Sequence, residues 1–273
     1  ASVLDGYGNT ARAAAAACER PGPTALVLAL QRVVACVLAV TVIALGGDLL
    51  AVSAAYLVSS AVGLLMAGVL VARLGVRPRR RHLGPADLRM LWRGTFLVGV
   101  DTLLGVALFR VDALMLGLIA GEQEVATYAA GYRVMETVLF VAWAVSGSLF
   151  PAMVRAEPGE PQVRVAQHAL SVAGVIFVPY AALLLLDGSE VIRLLFGDGF
   201  PGDSALALQW LAFSPVAFAL AFYCNYLLFV QGRSGWMLAG TAAALAVNVG
   251  LNAALIPAFG AVGAAVATTA TYV

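Results

Sequence analysis

The sequence predicts an all-α, polytopic helical membrane protein, and three observations carry that expectation. Hydrophobic residues make up 62% of the chain and charged residues 11%, against roughly 45–50% and about 25% in ordinary globular domains. The mean hydropathy is +0.94. The apolar residues gather in blocks of about 20 or more, long enough to cross a hydrocarbon core as helix. The blocks lack the alternating apolar and polar pattern, about ten residues long, of a transmembrane barrel, which leaves helices as the spanning elements.

Residues 1–23, "ASVLDGYGNTARAAAAACERPGP", read as a Gly-rich turn, an Ala-rich helical stretch and a Pro-Gly-Pro stop. Spans are then expected at 24–45, 49–72, 95–119, 125–150, 164–186, 204–230 and 235–256, with a partial one at 261–273. Short links such as "LGGD" (45–48) and "GEQE" (121–124) separate most of them. Pro151 and Pro257 mark helix ends, whereas Pro179 and Pro215 fall inside spans, where proline bends a helix. The sequence opens in mid-pattern and ends inside an apolar run, so it is expected to be a piece of a longer protein.

One link differs from the others. Residues 73–93, "RLGVRPRRRHLGPADLRMLWR", carry seven Arg and join two groups of spans. The positive-inside rule makes this loop cytoplasmic. Strict alternation then puts Arg12, Arg20, Arg155, Arg164 and Arg233 in cytoplasmic links. The outer links hold Asp48, Glu122, Glu124, Asp187, Glu190, Asp198 and Asp203, with Arg193 the lone basic residue. Every basic residue of the chain is Arg, and the net charge of +1 gives no sign of nucleic acid as a partner. Cys18, Cys36 and Cys224 have no ligand or redox spacing.

Arg110, Asp112, Arg133 and Glu136 lie inside apolar runs, where a charge is costly and needs a partner or a use. Counted from the link at 121–124, Asp112 lies about 14 Å down its helix, Arg110 about 16 Å, Arg133 about 14 Å and Glu136 about 18 Å. All four fall near the bilayer midplane, so Asp112 is expected to pair with Arg133, and Arg110 with Glu136. One reading makes them a neutral clamp between two helices; the other makes them the wall of a hydrated cavity that holds an anionic head group. The double substitution Arg110→Gln with Glu136→Gln separates the two, because near-normal activity leaves only the clamp. Asp101 falls at the cytoplasmic boundary, about 30 Å from the outer end. Asn248 and Asn252 share one helical face and Asn225 lies in the preceding span; they either bond helix to helix or line the cavity. His168 reads as interfacial, His82 belongs to the basic loop, and no residues suggest a metal site or a cofactor.

"FRVDALMLGLIAGEQEVATYAAGYRVMETVLFVAWAVSGSLFPAMVR" (109–155) resembles the opening of the second half of polysaccharide flippases. "VIRLLFGDGF" (191–200) is similar to a later link of that family, and "NVGLNAALIPAFGAVGAAVATTATY" (248–272) to its Asn-Leu-Asn helix followed by "LIP" and "GAA-AT". The resemblance extends to the superfamily of multidrug, oligosaccharide-lipid and polysaccharide exporters. It implies two six-helix lobes around a central cavity that opens alternately to each side, the first lobe incomplete here and the last helix truncated. Residues 1–82 would be the end of the N-terminal lobe with the basic loop, and residues 83–273 most of the C-terminal lobe. It also implies an undecaprenyl-diphosphate-linked oligosaccharide as substrate, turned over in the cytoplasmic membrane, with Arg110 and Arg133 in the positions that receive the diphosphate. Each has a carboxylate nearby, which departs from a purely cationic cavity.

Two alternatives stay within transport: a cation-coupled drug exporter using H+ or Na+, with Asp112 or Glu136 as the cycling carboxylate, and a peptidoglycan-precursor flippase. A membrane-embedded glycosyl or acyl transferase is a different class. It calls for a carboxylate pair or a His base beside a wet loop. "GDGFPGD" (197–203) instead reads as a turn leading into a helix cap, and the sequence has no Asp-x-Asp and no His cluster. The expectation is therefore a transporter and not an enzyme.

Overall fold

A computed structural model of the protein describes residues 2–16, 21–75, 84–197 and 202–272. Among them are nine α-helices and no strand: α1 (Ser2–Ala16), α2 (Pro21–Ala44), α3 (Leu49–Arg73), α4 (Pro85–Ile119), α5 (Glu122–Arg155), α6 (Glu160–Phe196), α7 (Gly202–Leu211), α8 (Ser214–Val230) and α9 (Ser234–Tyr272). Seven helical segments are long and apolar enough to cross a membrane. Leu118, Leu186 and Leu194 are more than 80% exposed on their outer faces, a surface that lipid covers and water would not. The chain is an all-α, multi-pass membrane protein. Arg77, Arg79, Arg80, Arg81 and His82 of the basic link lie outside the described residues, as do Cys18, Arg20 and Asp198.

The chain divides into two compact units, Ala1–Leu83 and Gly84–Val273. In the first, α1 and α2 both pack on α3. Gly46 turns the chain with φ 76°, and the Asp48 carboxylate caps α3 by accepting from the Ala51 N–H at 2.9 Å. Two details differ from the sequence reading. Gly6 and Gly8 sit inside α1, and the Pro-Gly-Pro segment forms the opening of α2. The second follows from the tolerance of a helix's first turn for proline, which has no N–H to lose there. The first follows from side chains that fasten α1 to buried Gln31 of α2. Arg12 donates to Gln31 Oε1 at 3.1 Å, and Gln31 Nε2 donates to Asp5 at 2.9 Å. The Ser59 hydroxyl adds a bond to the Gln31 carbonyl at 3.0 Å.

Gly63 makes room for this amide, because a Cβ there would overlap the pinned Gln31 side chain. Gly63→Ala is therefore expected to lower stability by roughly 1–3 kcal/mol, the usual cost of overpacking. Gly68→Ala, which meets open space, should stay within about 0.5 kcal/mol. Thermal unfolding in detergent compares the two.

In the second unit the helices are longer than the spans they contain. α4 begins at Pro85, so the second half of the basic link is helical. Pro151 lies within α5, which continues to Arg155 instead of ending there. Three breaks interrupt the long helices. Asp187 leaves helical geometry inside α6 (φ −125°, ψ 23°). The expected span at 204–230 divides into α7 and α8 around residues 212–213, with Pro215 in the first turn of α8. Thr269 supports that break: its hydroxyl donates to the Trp210 carbonyl and lies 2.8 Å from the Ser214 hydroxyl.

The third break, Gly260 (φ 51°, ψ −128°), falls within α9. Asn248 bonds Thr271 at 3.3 Å across it. A Cβ on Gly263 would come within 2.6 Å of the Leu255 carbonyl. α9 is thus a hairpin of two antiparallel legs, residues 234–259 and 261–272, turning at Gly260. Glu124, in the first turn of α5, caps the second leg by accepting from the Ala261 N–H at 2.7 Å. α4 and α7 pack on α9, and the main core gathers Leu116, Met135, Leu139, Phe177, Leu211 and Ile256.

Candidate functional site

The polar centre of the second unit forms around Asp112, which is 2% exposed. It lies one helical face away from lipid on α4, where both legs of the α9 hairpin can reach it. From the first leg, Asn252 Nδ2 donates to Asp112 Oδ1 at 2.6 Å. From the second, the Thr268 hydroxyl donates to Oδ2 at 2.6 Å. The Tyr128 hydroxyl of α5 lies 3.2 Å from the same oxygen and 3.0 Å from Thr268 Oγ1. Asn252 Nδ2 also reaches the backbone and side-chain oxygens of Asn248, at 3.0 and 2.9 Å. Asn248 and Asn252 are both buried, and among the described residues Asn252 Oδ1 is a buried acceptor with no donor.

The expected ion pairs do not form. Among the described residues an ion pair forms between Arg193 and Glu190 at the end of α6. Asp112 does not meet Arg133, because neutral donors from three helical segments already fill its carboxylate. Arg133 points the other way: its neighbours Tyr132 and Val134 are buried and Arg133 is exposed. Arg110 is exposed and Glu136 half-buried. Their charges both bear on the Tyr132 hydroxyl, so they share one neighbourhood without closing on each other. That hydroxyl donates to the Phe109 carbonyl at 3.4 Å. Neither Arg110 nor Arg133 makes a hydrogen bond or ion pair among the described residues.

Asn225 stands apart from Asn248 and Asn252. It lies on α8 in the wall of a cavity of about 560 Å³ that α4, α5 and α9 also line. Asp101 is in the same wall, with one carboxylate oxygen buried and without a partner among the described residues.

Tyr128, Thr268 and Glu124 were not singled out in the sequence. Tyr128 and Thr268 look like ordinary members of apolar helices, and only the folded hairpin brings Thr268 to a residue 156 positions away. A faint signal exists for Tyr128 and Tyr132, which recur at i,i+4 with Glu136 on one face of α5. Glu124 read as a link residue because its partner is a backbone N–H, which no side-chain pattern announces. Among the described residues no three His, Cys, Asp or Glu gather as a metal site would require.

No solved structure matches the chain. Two curated proteins of Haloferax volcanii resemble it. The probable flippase AglR is 25% identical over 177 residues, which cover 62% of this chain and 36% of that protein. The probable low-salt glycan biosynthesis flippase Agl15 is 23% identical over 165 residues, 59% of this chain and 35% of that protein. The chain therefore spans about a third of the length of these relatives. The family described as polysaccharide biosynthesis protein matches residues 16–157, more than half of the sequence. With that match over helices α2 to α5, the chain belongs to the polysaccharide biosynthesis protein family.

Proposed function

We propose that this chain is part of a transporter that flips a lipid-linked oligosaccharide across the cytoplasmic membrane by alternating access. Its substrate class is an undecaprenyl-diphosphate-linked glycan, moved for surface polysaccharide synthesis. The observation that carries this reading is that Arg110 and Arg133, on successive helices, make no hydrogen bond or ion pair among the described residues; counted along their helices, both would stand near midplane depth. A guanidinium in a membrane segment is retained for a purpose, and its planar fork matches phosphate oxygens. In this reading residues 1–82 close the N-terminal lobe, residues 83–273 form most of the C-terminal lobe, and the link at 73–93 faces the cytoplasm. A hydrated pathway lowers the cost of carrying a polar head through the bilayer. The names of the two Haloferax relatives support transport over transfer chemistry.

A coupling cation, H+ or Na+, has its best seat at Asp112. One observation favours this: the carboxylate has no basic partner among the described residues, so an incoming ion would take the place of the neutral Asn252, Thr268 and Tyr128 donors that point at it. The same seat would serve a drug exporter or a peptidoglycan-precursor flippase, so the substrate test decides between them.

That test uses the full-length protein in vesicles with a fluorescent undecaprenyl-diphosphate oligosaccharide and a quencher confined to one side. The double substitution Arg110→Ala with Arg133→Ala should slow flipping roughly tenfold or more, the worth of about 1.4 kcal/mol in a barrier. Lys at both positions should recover part of the rate, since it keeps the charge and loses the fork. Flipping at the wild-type rate in the Ala double variant would remove these residues from the site. Transport of an organic cation with no movement of the labelled lipid would hand the function to the exporter reading.

A further inference from the structure

Below the Asp112 centre, toward the start of α4, the cavity of about 560 Å³ has a chemistry of its own. Asp101 and Asp112 are eleven residues apart, about three helical turns, and so lie on the same side of α4. The cavity walls are aromatic: Phe150, Phe222, Tyr226 and Phe229 all line it. Phe222 and Tyr226 meet edge to face with centroids 5.0 Å apart, and Phe150 touches both Tyr226 and Phe229. Phe229 is 38% exposed and the other three are part-buried, so ring surface remains for a ligand to cover.

The polar groups of this wall are mostly acceptors. One Asp101 oxygen is buried and unpartnered. The Thr102 hydroxyl spends its proton on the Val98 carbonyl at 2.8 Å, and that of Ser146 on the Trp143 carbonyl at 2.6 Å. Their oxygens therefore face the cavity able only to accept. Asn225 adds an amide that both donates and accepts, and none of its bonds is taken up within the described residues. A ligand that fits must bring several O–H donors and an apolar face to lay on a ring. A pyranose does so: its hydroxyls radiate at the equator and its axial C–H groups form a hydrophobic face. A lone ammonium would use Asp101 and the rings, but would leave Ser146, Thr102 and Asn225 without a role. The volume falls in the range of about 300–1,000 Å³ typical of small-molecule sites.

We propose that this cavity is a sugar subsite, in which one or two pyranose rings of the glycan stack on Phe222 or Phe229 and hydrogen-bond to Asp101 and Asn225. The inference rests on the flippase reading and adds where the glycan, and not the diphosphate, is held.

The test is saturation-transfer NMR on the full-length protein in lipid nanodiscs, with methyl glucopyranoside and methyl N-acetylglucosaminide as probes. Wild-type protein should transfer saturation chiefly to ring C–H protons. Asp101→Leu and Asn225→Leu should each weaken binding roughly tenfold, and Asp101→Asn by less, because it keeps an acceptor. Melting temperatures of the variants separate lost binding from lost folding, and Phe222→Leu gives a third variant that removes stacking alone. No transfer to either sugar in the wild type, or equal transfer in well-folded Leu variants, overturns the subsite. Saturation of tetraphenylphosphonium in place of the sugars overturns it in favour of a cation pocket. Failure of the two readings is distinguishable. Normal flipping of the labelled lipid by Asp101→Leu sinks the subsite alone, whereas sugar binding by a wild-type protein that flips no lipid-linked glycan sinks the flippase reading.

Discussion

Asp112→Leu should destabilise the second unit by about 2–4 kcal/mol, the largest loss expected from a single side chain of the polar centre. Leucine branches at the same atom but is distinctly bulkier, so overpacking adds to the loss. The larger share comes from the donors left behind. Asn252 Nδ2, the Thr268 hydroxyl and the Tyr128 hydroxyl all point at the carboxylate, and a leucine side chain offers them no acceptor. Polar contacts in membrane helices average well under the strength expected from their burial, because the unfolded reference also finds partners. Three donors lost together nevertheless exceed that average. Asp112→Asn keeps one acceptor and should cost about 1 kcal/mol. Thermal unfolding in one detergent ranks wild type, Asn and Leu. Equal melting of the Leu variant and the wild type would show that the donors find other partners. If Asp112 also seats the coupling cation, Asp112→Asn should fold yet lose the dependence of flipping on a pH or Na+ gradient.

Gly260→Val is expected to be at least as damaging, by about 3–4 kcal/mol, for a different reason. Gly260 has φ 51°, and a β-branched residue in such a conformation is strained by about 1–3 kcal/mol. A Cβ there also overlaps the Glu124 carboxylate. That carboxylate holds the Ala261 N–H, the first orphan donor of the second leg. Gly260→Ala carries a milder strain and the same overlap, so it should cost about 2 kcal/mol. Adding Glu124→Ala to Gly260→Ala relieves the overlap but leaves the N–H uncapped, so it should recover only part of the loss. Melting temperatures of the three variants check the order; a Val variant as stable as wild type would contradict the turn geometry.

Helix content and the places where spans lie were legible because lipid demands long apolar runs, and such runs are visible residue by residue. What cut the runs was legible only in part. The break at Asp187 falls where the expected span 164–186 ends, whereas the step at 212–213 depends on a contact made far along the chain, Thr269 taking the Trp210 carbonyl. The hairpin turn was marked, since Pro257 and Gly260 interrupt one apolar pattern. The charges of the site were visible for the opposite reason: they stand out against hydrocarbon. Their partners were misread because charge invites pairing with opposite charge. Burial instead favours many neutral donors around one carboxylate, and a Thr or a Tyr in a span gives no hint of that role. Arg133 shows the limit of counting depth, which fixes height along a helix but not the side a residue faces.

The hairpin of α9 is tied at three heights: Asn248 to Thr271, Asn252 and Thr268 to Asp112, and Ala261 to Glu124. Sliding or screwing one leg along the other would break at least two of these ties at once. The hairpin with its clasp on α4 and α5 therefore behaves mechanically as a strut. Compliance in this half of the molecule has to come from the loosened joints at Asp187 and residues 212–213, which are spliced into α6 and between α7 and α8.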